Sequence, residues 1–115
     1  MKKMLLFMGI GLFVLVAAAS ARGSDDNAFE QGKRLYEQKC QLCHGVSGNG
    51  DGPAAAAFSP APADFAASSF WERYDDKAIA GIIEKGRGRM PAFDLTSAET
   101  QAIIDYMSHT FKPGR

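Results

Sequence analysis

The sequence predicts an all-α domain. Apolar residues recur every three or four positions in three separate segments, which is the spacing of a buried helix face. No segment alternates apolar and polar residues as a half-buried strand does. A stretch rich in glycine and proline, residues 45–64, separates the first helical segment from the other two. A chain of 115 residues has room for one such domain.

The first 21 residues have the pattern of a secretory signal peptide. Lys2 and Lys3 precede an apolar run at residues 4–19, and the small residues 19–21 form a typical cleavage site. An uncleaved membrane anchor is the alternative, although this run is shorter than the roughly 20 residues that a spanning helix needs. We therefore expect a signal peptide at residues 1–21 and a mature periplasmic domain at residues 22–115, without a membrane span.

The charge of the mature chain excludes one class of function. Cleavage leaves eleven basic and thirteen acidic residues, so the domain has no excess of positive charge for binding nucleic acid. Small domains of this size often gain stability from a disulfide, a metal or a cofactor. With two cysteines, the chain can form one disulfide at most.

The segment 25–40 predicts an amphipathic helix that ends at a cysteine. Asp25 and Asp26 are its candidate N-caps. Its apolar face carries four residues at helical spacing: Phe29, Gly32, Tyr36 and Cys40. A glycine inside a helix costs about 1 kcal/mol relative to alanine, so Gly32 predicts the close approach of another helix. A tolerated surface glycine is the alternative.

Both cysteines and one of the two histidines lie within CQLCH, from Cys40 to His44. A thioredoxin-like redox pair would need a βαβ pattern around the cysteines, and the sequence has none. A structural zinc site needs about four protein ligands, and the only other histidine, His109, lies alone near the far end of the chain, so a zinc site would be one ligand short. In C-x-x-C-H, two thiols reach the vinyl groups of a haem as thioethers and the adjacent imidazole faces the iron. The motif therefore predicts one covalently bound haem c, with Cys40 and Cys43 as its thioether attachment points and His44 as a ligand of its iron.

The loop at residues 45–64 is long enough to wrap a cofactor. It contains the turn dipeptides NG and DG, and one short helical turn is expected at residues 53–58. Phe58 and Phe65 are candidate apolar contacts. Since a ligand histidine usually donates its second ring N–H, we expect the carbonyl of Pro60 or Pro62 to accept from His44.

Two further helices follow this loop. Asp75 and Asp76 are candidate caps of the segment KAIAGIIEK, in which three isoleucines form an apolar stripe and Gly86 supplies the stop. The last helix opens with TSAE, which is a capping box. It continues with four apolar residues on one side: Ile103, Ile104, Met107 and Phe111.

Three residues of the mature chain are candidates for the sixth ligand of the iron. Met107 has the spacing of a core residue on the last helix. His109 lies near the C-terminal end of that helix, where a histidine interacts favourably with the helix dipole. Met90 lies in GRGRMPAF, a loop with no helical face to bury. A thioether on such a loop can reach iron, so Met90 is the favoured candidate.

The mature chain resembles a class I cytochrome c of the small bacterial periplasmic kind. The similarity extends over nearly all of it, through Gly32, Tyr36, CQLCHG, GNGDGP, PAPADF and GRGRMPAF to the last helix. The resemblance implies about four helices and long loops around one haem, with the first and last helices crossing near Gly32. It also implies axial ligation by His44 and Met90. By position, Tyr106 would supply the aromatic contact of the last helix, in competition with Met107 and Phe111.

The same resemblance implies a non-enzymatic, one-electron carrier whose partners are redox proteins such as a dehydrogenase, a reductase or a terminal oxidase. A thioether ligand raises the reduction potential, and two protein ligands leave the iron no open site. Two alternatives stay open: a fixed electron-transfer subunit of an oxidoreductase complex, and a five-coordinate haem enzyme or sensor.

Four further residues have two interpretations each. Lys85, Arg87 and Arg89 lie just before Met90 in sequence. They either contact haem propionates or an acidic partner or form a solvated face. Trp71 either donates its indole N–H to a propionate or fills the core.

Overall fold

A computed structural model describes residues 11, 13–15 and 22–115 of the chain. Five α-helices and one 3-10 turn make up this part: α1 (Arg22–Lys39), α2 (Gln41–His44), the 3-10 turn (Ala55–Ala57), α3 (Ser68–Arg73), α4 (Asp76–Lys85) and α5 (Ser97–Phe111). Over these residues the only β-type pairing is an isolated bridge between Arg87 and Met90, so the predicted all-α class is confirmed.

The predicted signal peptide lies almost entirely outside the described residues, and so does its cleavage site. Cleavage therefore stays a prediction. Within the described part of the chain, none of the helices has the length and apolar character needed to cross a bilayer.

The crossing of α1 and α5 organises the fold. A Cβ atom built on Gly32 would overlap the carbonyl oxygen of Ala102 and lie 3.1 Å from the Cβ of Tyr106. Only glycine allows the two backbones to approach so closely. The predicted close approach at Gly32 is confirmed, and Tyr106 is the aromatic residue at the crossing, with its ring centroid 5.4 Å from those of Phe29 and Tyr36.

The core lies between α1, α4 and α5 and continues into the loop that follows the motif. Its buried apolar side chains are Tyr36, Phe65, Ile79, Ile83, Ala102, Ile103, Ile104, Tyr106, Met107 and Phe111. The four residues expected on the inner side of α5 are all among them.

The predicted ends of α4 and α5 are confirmed. The Asp75 carboxylate accepts the backbone N–H of Ala78, and Gly86 ends α4 with a positive φ of 74°. Thr96 and Glu99 exchange both hydrogen bonds of a capping box before α5. Each of these signals acts within a few residues of the helix end, so the surrounding fold does not alter it.

One expectation about a helix end was wrong, and one short helix was not foreseen. Helix α1 already includes Arg22, so Asp25 lies inside its first turn and not at the N-cap. A carboxylate there interacts favourably with the helix dipole but does not cap the helix. Helix α3 was not predicted, because its six residues are too few to display a helical apolar period. The 3-10 turn, by contrast, falls within the expected 53–58 segment.

Candidate haem site

The CQLCH motif lies where α1 passes into α2. The backbone N–H of Cys40 donates to the Tyr36 carbonyl over 2.9 Å, and the N–H of His44 donates to the Cys40 carbonyl over 2.9 Å. Both thiols are free and half-buried. Burial raises the pKa of Cys40 to about 12, although Lys39 opposes this shift and Cys43 adds to it. In the folded chain Cys40 is therefore a protonated thiol near neutral pH.

The imidazole of His44 is held on two sides. Its Nδ1 lies 3.1 Å from the carbonyl oxygen of Ala63, and its ring stacks on Phe65 with centroids 4.5 Å apart and planes at 20°. Burial lowers the pKa of His44, while the hydrogen bond to Ala63 opposes that shift. A neutral ring that donates from Nδ1 leaves Nε2 free to bind a metal.

The expectation that Pro60 or Pro62 supplies this carbonyl was wrong. The Pro62 carbonyl faces Gly50 instead, where it would overlap any added Cβ. The next residue, Ala63, therefore presents its carbonyl to the histidine. Sequence offers no signal for this choice, because every residue in the loop has a carbonyl group.

Hydrogen bonds from two aromatic residues shape the loop around His44. The buried Tyr36 hydroxyl donates to the Gly45 carbonyl over 2.7 Å, directly after the motif. The half-buried Trp71 indole N–H donates to the Phe65 carbonyl over 2.8 Å. That N–H is therefore engaged with the backbone, which corrects the propionate interpretation of Trp71. The role of Tyr36 as a donor was missed, since spacing alone predicts only its burial.

Met90 lies in a tight turn after α4. Its backbone exchanges two hydrogen bonds with Arg87, 2.9 and 3.0 Å long, and its half-buried side chain packs against the core. The Arg89 guanidinium donates to the Ala57 carbonyl. The 3-10 turn that contains Ala57 is in turn joined to the motif by a 2.9 Å bond from the Ala54 N–H to the Leu42 carbonyl. Through these contacts, the Met90 loop adjoins the loop that follows CQLCH.

The two competing candidates for the sixth ligand lie on α5. Met107 is 3% exposed within the core of α5. His109 is exposed, with its Nδ1 3.2 Å from Nη1 of Arg115 and its ring centroid 5.4 Å from that of Phe29 on α1. Met107 is thus enclosed in the core, and the His109 side chain contacts α1 and the C-terminal residue.

The basic residues near Met90 are exposed, and two of them also contact other parts of the protein. Arg87 and Arg89 each make a hydrogen bond and lie over an aromatic ring, namely those of Tyr74 and Phe58. Lys85 is exposed at the end of α4. Their exposure agrees with the interpretation as a solvated face, although the two arginines also contact the protein.

The donor set fits a covalently attached haem. Two free thiols three residues apart, an imidazole with Nε2 available and a thioether on an adjoining loop are the groups that a c-type haem uses. Within the described residues, no three His, Cys, Asp or Glu side chains form a cluster that could hold a metal without such a group. A cavity of about 240 Å³ between Ala63 and Tyr74 is not lined by any of the four candidate ligands.

A family model and two relatives match this chain. Residues 27–107 match the family model described as cytochrome c oxidase, cbb3-type, subunit III. The chain is 27% identical to cytochrome c-551 of Bacillus subtilis (strain 168) over 118 aligned positions, which cover 93% of this chain and 95% of that protein.

A second relative is the C subunit of nitric oxide reductase from Halomonas halodenitrificans. It is 32% identical over 94 residues, which cover 69% of this chain and 56% of that relative. The family model extends over the motif, the Met90 loop and most of α5. The chain belongs to the family described as cytochrome c oxidase, cbb3-type, subunit III, and is a class I c-type cytochrome, an electron-transfer protein with covalently bound haem c.

Proposed function

We propose that Cys40 and Cys43 hold the haem through thioethers and that His44 and Met90 are the axial ligands of its iron. The observation that carries the Met90 assignment is the contact between Arg89 and Ala57, which joins the Met90 loop to the loop of the motif across 32 residues of sequence. The burial of Met107 and the position of His109 beside Phe29 support Met90 against both alternatives.

In this assignment the haem supplies a one-electron couple of its iron, and the protein supplies a constant environment. Ala63 and Phe65 fix the orientation of His44, while the turn from Arg87 to Met90 fixes the thioether. With both axial positions filled by side chains, no position is open for oxygen or peroxide, which favours a carrier over an enzyme or sensor.

The relatives support two forms of electron transfer, by a free shuttle or by a fixed subunit of a complex. The cytochrome c-551 of similar length favours a free shuttle between redox proteins. The reductase relative and the oxidase-subunit family favour a fixed partner within a complex. Purification from its native source separates these forms: a shuttle elutes alone, whereas a fixed partner elutes with an oxidoreductase.

The location follows from the N-terminal pattern. We propose export with cleavage after Ala21, which gives a mature domain of residues 22–115 in the periplasm. The mass of the haem-containing protein should equal that of residues 22–115 plus one haem. A mass that includes residues 1–21 would support the membrane-anchored alternative.

The axial ligands are tested by the ferric absorption spectrum. Sulfur bound to low-spin ferric iron gives a weak long-wavelength charge-transfer absorption, which we expect in the wild type. Met90→Ala should abolish it, lower the reduction potential and let carbon monoxide bind the ferrous protein. Met107→Ala should keep the absorption but lower the free energy of unfolding by about 2–5 kcal/mol, as for other buried methionines.

The reverse pattern would refute the assignment. If Met107→Ala or His109→Ala removes the sixth ligand and Met90→Ala does not, then the ligand is misassigned. If the wild-type ferrous protein already binds carbon monoxide readily, the iron is five-coordinate and the enzyme or sensor interpretation replaces the carrier.

A further inference from the structure

Two glycines precede Met90 in the turn that follows α4. Gly86 and Gly88 both have positive φ, at 74° and 57°. Glycine leaves the backbone many accessible conformations, so such a loop depends on outside contacts for its position. The hydrogen-bonded pair between Arg87 and Met90 closes the turn but does not determine where the turn lies relative to the motif.

Arg89 provides one outside contact. Its guanidinium donates to the carbonyl of Ala57, and its Cζ lies 4.8 Å from the centroid of the Phe58 ring. A planar guanidinium can donate and stack at the same time, which an ammonium cannot do equally well. Since the residue is adjacent to Met90, this contact acts directly on the backbone that carries the thioether.

Arg87 provides a second contact on a different element. Its Nη1 donates to the Tyr74 hydroxyl over 2.9 Å, and its Cζ lies 5.5 Å from the centroid of that ring. Tyr74 follows the last residue of α3. The Met90 turn is thus attached to the 3-10 turn through Arg89 and to the end of α3 through Arg87.

We propose that Arg89, assisted by Arg87, is a positioning residue that holds the Met90 loop against the loop of the haem motif and so slows the loss of the Met90 thioether from iron. This inference rests on the proposed ligation by Met90. It assigns to the two arginines a local effect on ligand retention, which is distinct from a contribution to overall stability.

The test is the rate at which exogenous imidazole displaces the thioether in the ferric, haem-loaded protein. The long-wavelength absorption reports the displacement. Arg89→Gln should raise the rate about tenfold, since the lost hydrogen bond comes from a charged group whose contribution is weakened by solvent exposure. Arg87→Gln should raise the rate less, because its contact does not involve the loop of the motif.

Two further variants separate the contact from its charge. Lys85→Gln removes the same charge from the same region and should exchange at the wild-type rate, because Lys85 is exposed and no described hydrogen bond joins its side chain to the Met90 turn. Arg89→Lys keeps the charge but loses the planar fork, so its rate should lie between those of wild type and Arg89→Gln.

Global unfolding in denaturant, followed by far-UV circular dichroism, distinguishes positioning from general stabilisation. The midpoint for Arg89→Gln should stay near that of Lys85→Gln while its exchange rate rises. If the two variants exchange at the same rate, or if exchange accelerates only as far as global stability falls, the positioning role is wrong. If the wild type has no thioether absorption, the ligation by Met90 fails first, and the inference fails with it.

Discussion

Cys40 and Cys43 are the proposed attachment points of the haem. The folded chain keeps Cys40 protonated, because burial raises its pKa to about 12. A thioether cannot ionise, so attachment removes a group that is costly to charge in this position. The proposed bonds therefore suit the half-buried surroundings of the two sulfur atoms better than free thiolates would.

Replacement of either cysteine should reduce the attachment to a single thioether. Cys40→Ala and Cys43→Ala should each give a pyridine haemochrome band shifted from that of the wild type, because one vinyl group stays unsaturated. Wild-type haem should resist extraction into acidic organic solvent. Release of haem from the wild type under those conditions would show that the attachment is not covalent.

The hydroxyl of Tyr36 should contribute to the stability of the fold through its hydrogen bond to Gly45. Tyr36→Phe would leave the Gly45 carbonyl without its 2.7 Å partner while keeping the ring. We expect a loss of about 1–3 kcal/mol in the free energy of unfolding, the usual cost of an unsatisfied buried group. Tyr106→Phe is the matched control, because Tyr106 belongs to the same aromatic cluster and no described hydrogen bond involves its hydroxyl. An equal loss in both variants would argue against the hydroxyl.

Tyr36 should also make the stability of the fold depend on pH in the alkaline range. Burial raises the pKa of Tyr36 above its ordinary value of 10.0, with smaller contributions of the same sign from Cys40, Tyr106 and Asp51. The folded state therefore keeps the proton while the unfolded chain releases it above that ordinary value, and stability falls as the pH rises further. Tyr36→Phe should lose less stability than the wild type over this range, as denaturant titrations at increasing pH would measure.

At the scale of elements, the crossing of α1 and α5 depends on one missing side chain. Gly32→Ala would force its Cβ into the Ala102 carbonyl, which belongs to the backbone and cannot rotate away. We expect a loss of about 1–3 kcal/mol or more in the free energy of unfolding, measured by denaturant titration. Gly81→Ala in α4 is the control.

The control should change stability in the opposite direction. A Cβ built on Gly81 meets nothing within 4 Å, so alanine there should stabilise α4 by up to about 1 kcal/mol through helix propensity alone. If Gly32→Ala were as well tolerated as Gly81→Ala, the close approach would not limit the packing of these helices.

For the molecule as a whole, the cofactor should be a condition of folding. The buried apolar cluster is built from α1, α4, α5 and Phe65. The candidate haem-binding residues lie beside this cluster, in the motif and in the Met90 loop. A domain of this size buries a modest fraction of its surface, so removal of the haem should leave too little apolar contact for cooperative folding.

Thermal melting of the apo chain, followed by far-UV circular dichroism, checks this expectation. The apo chain should lose helicity gradually and without a sharp transition, and the haem-loaded protein should melt cooperatively. A cooperative apo transition with native-like helicity would contradict it.

Features that depend only on neighbouring residues could be predicted from the sequence. The apolar periods of α1, α4 and α5, the capping box at Thr96, the stop at Gly86 and the spacing of CQLCH all act over a few positions, so their outcome did not depend on the rest of the fold. Gly32 could be predicted for a related reason, because a glycine inside a helix needs an explanation and close packing is the usual one. The haem ligands themselves stay predictions.

Tertiary structure alone decided which distant groups meet. Ala63 rather than a proline faces His44, Trp71 donates to Phe65, and Arg89 reaches Ala57. Every residue has a carbonyl group, and an arginine can donate to any of them, so residue type does not select the partner. The selection comes from the path of the loop, which depends on the contacts of Gly50 and Gly48 with residues far along the chain.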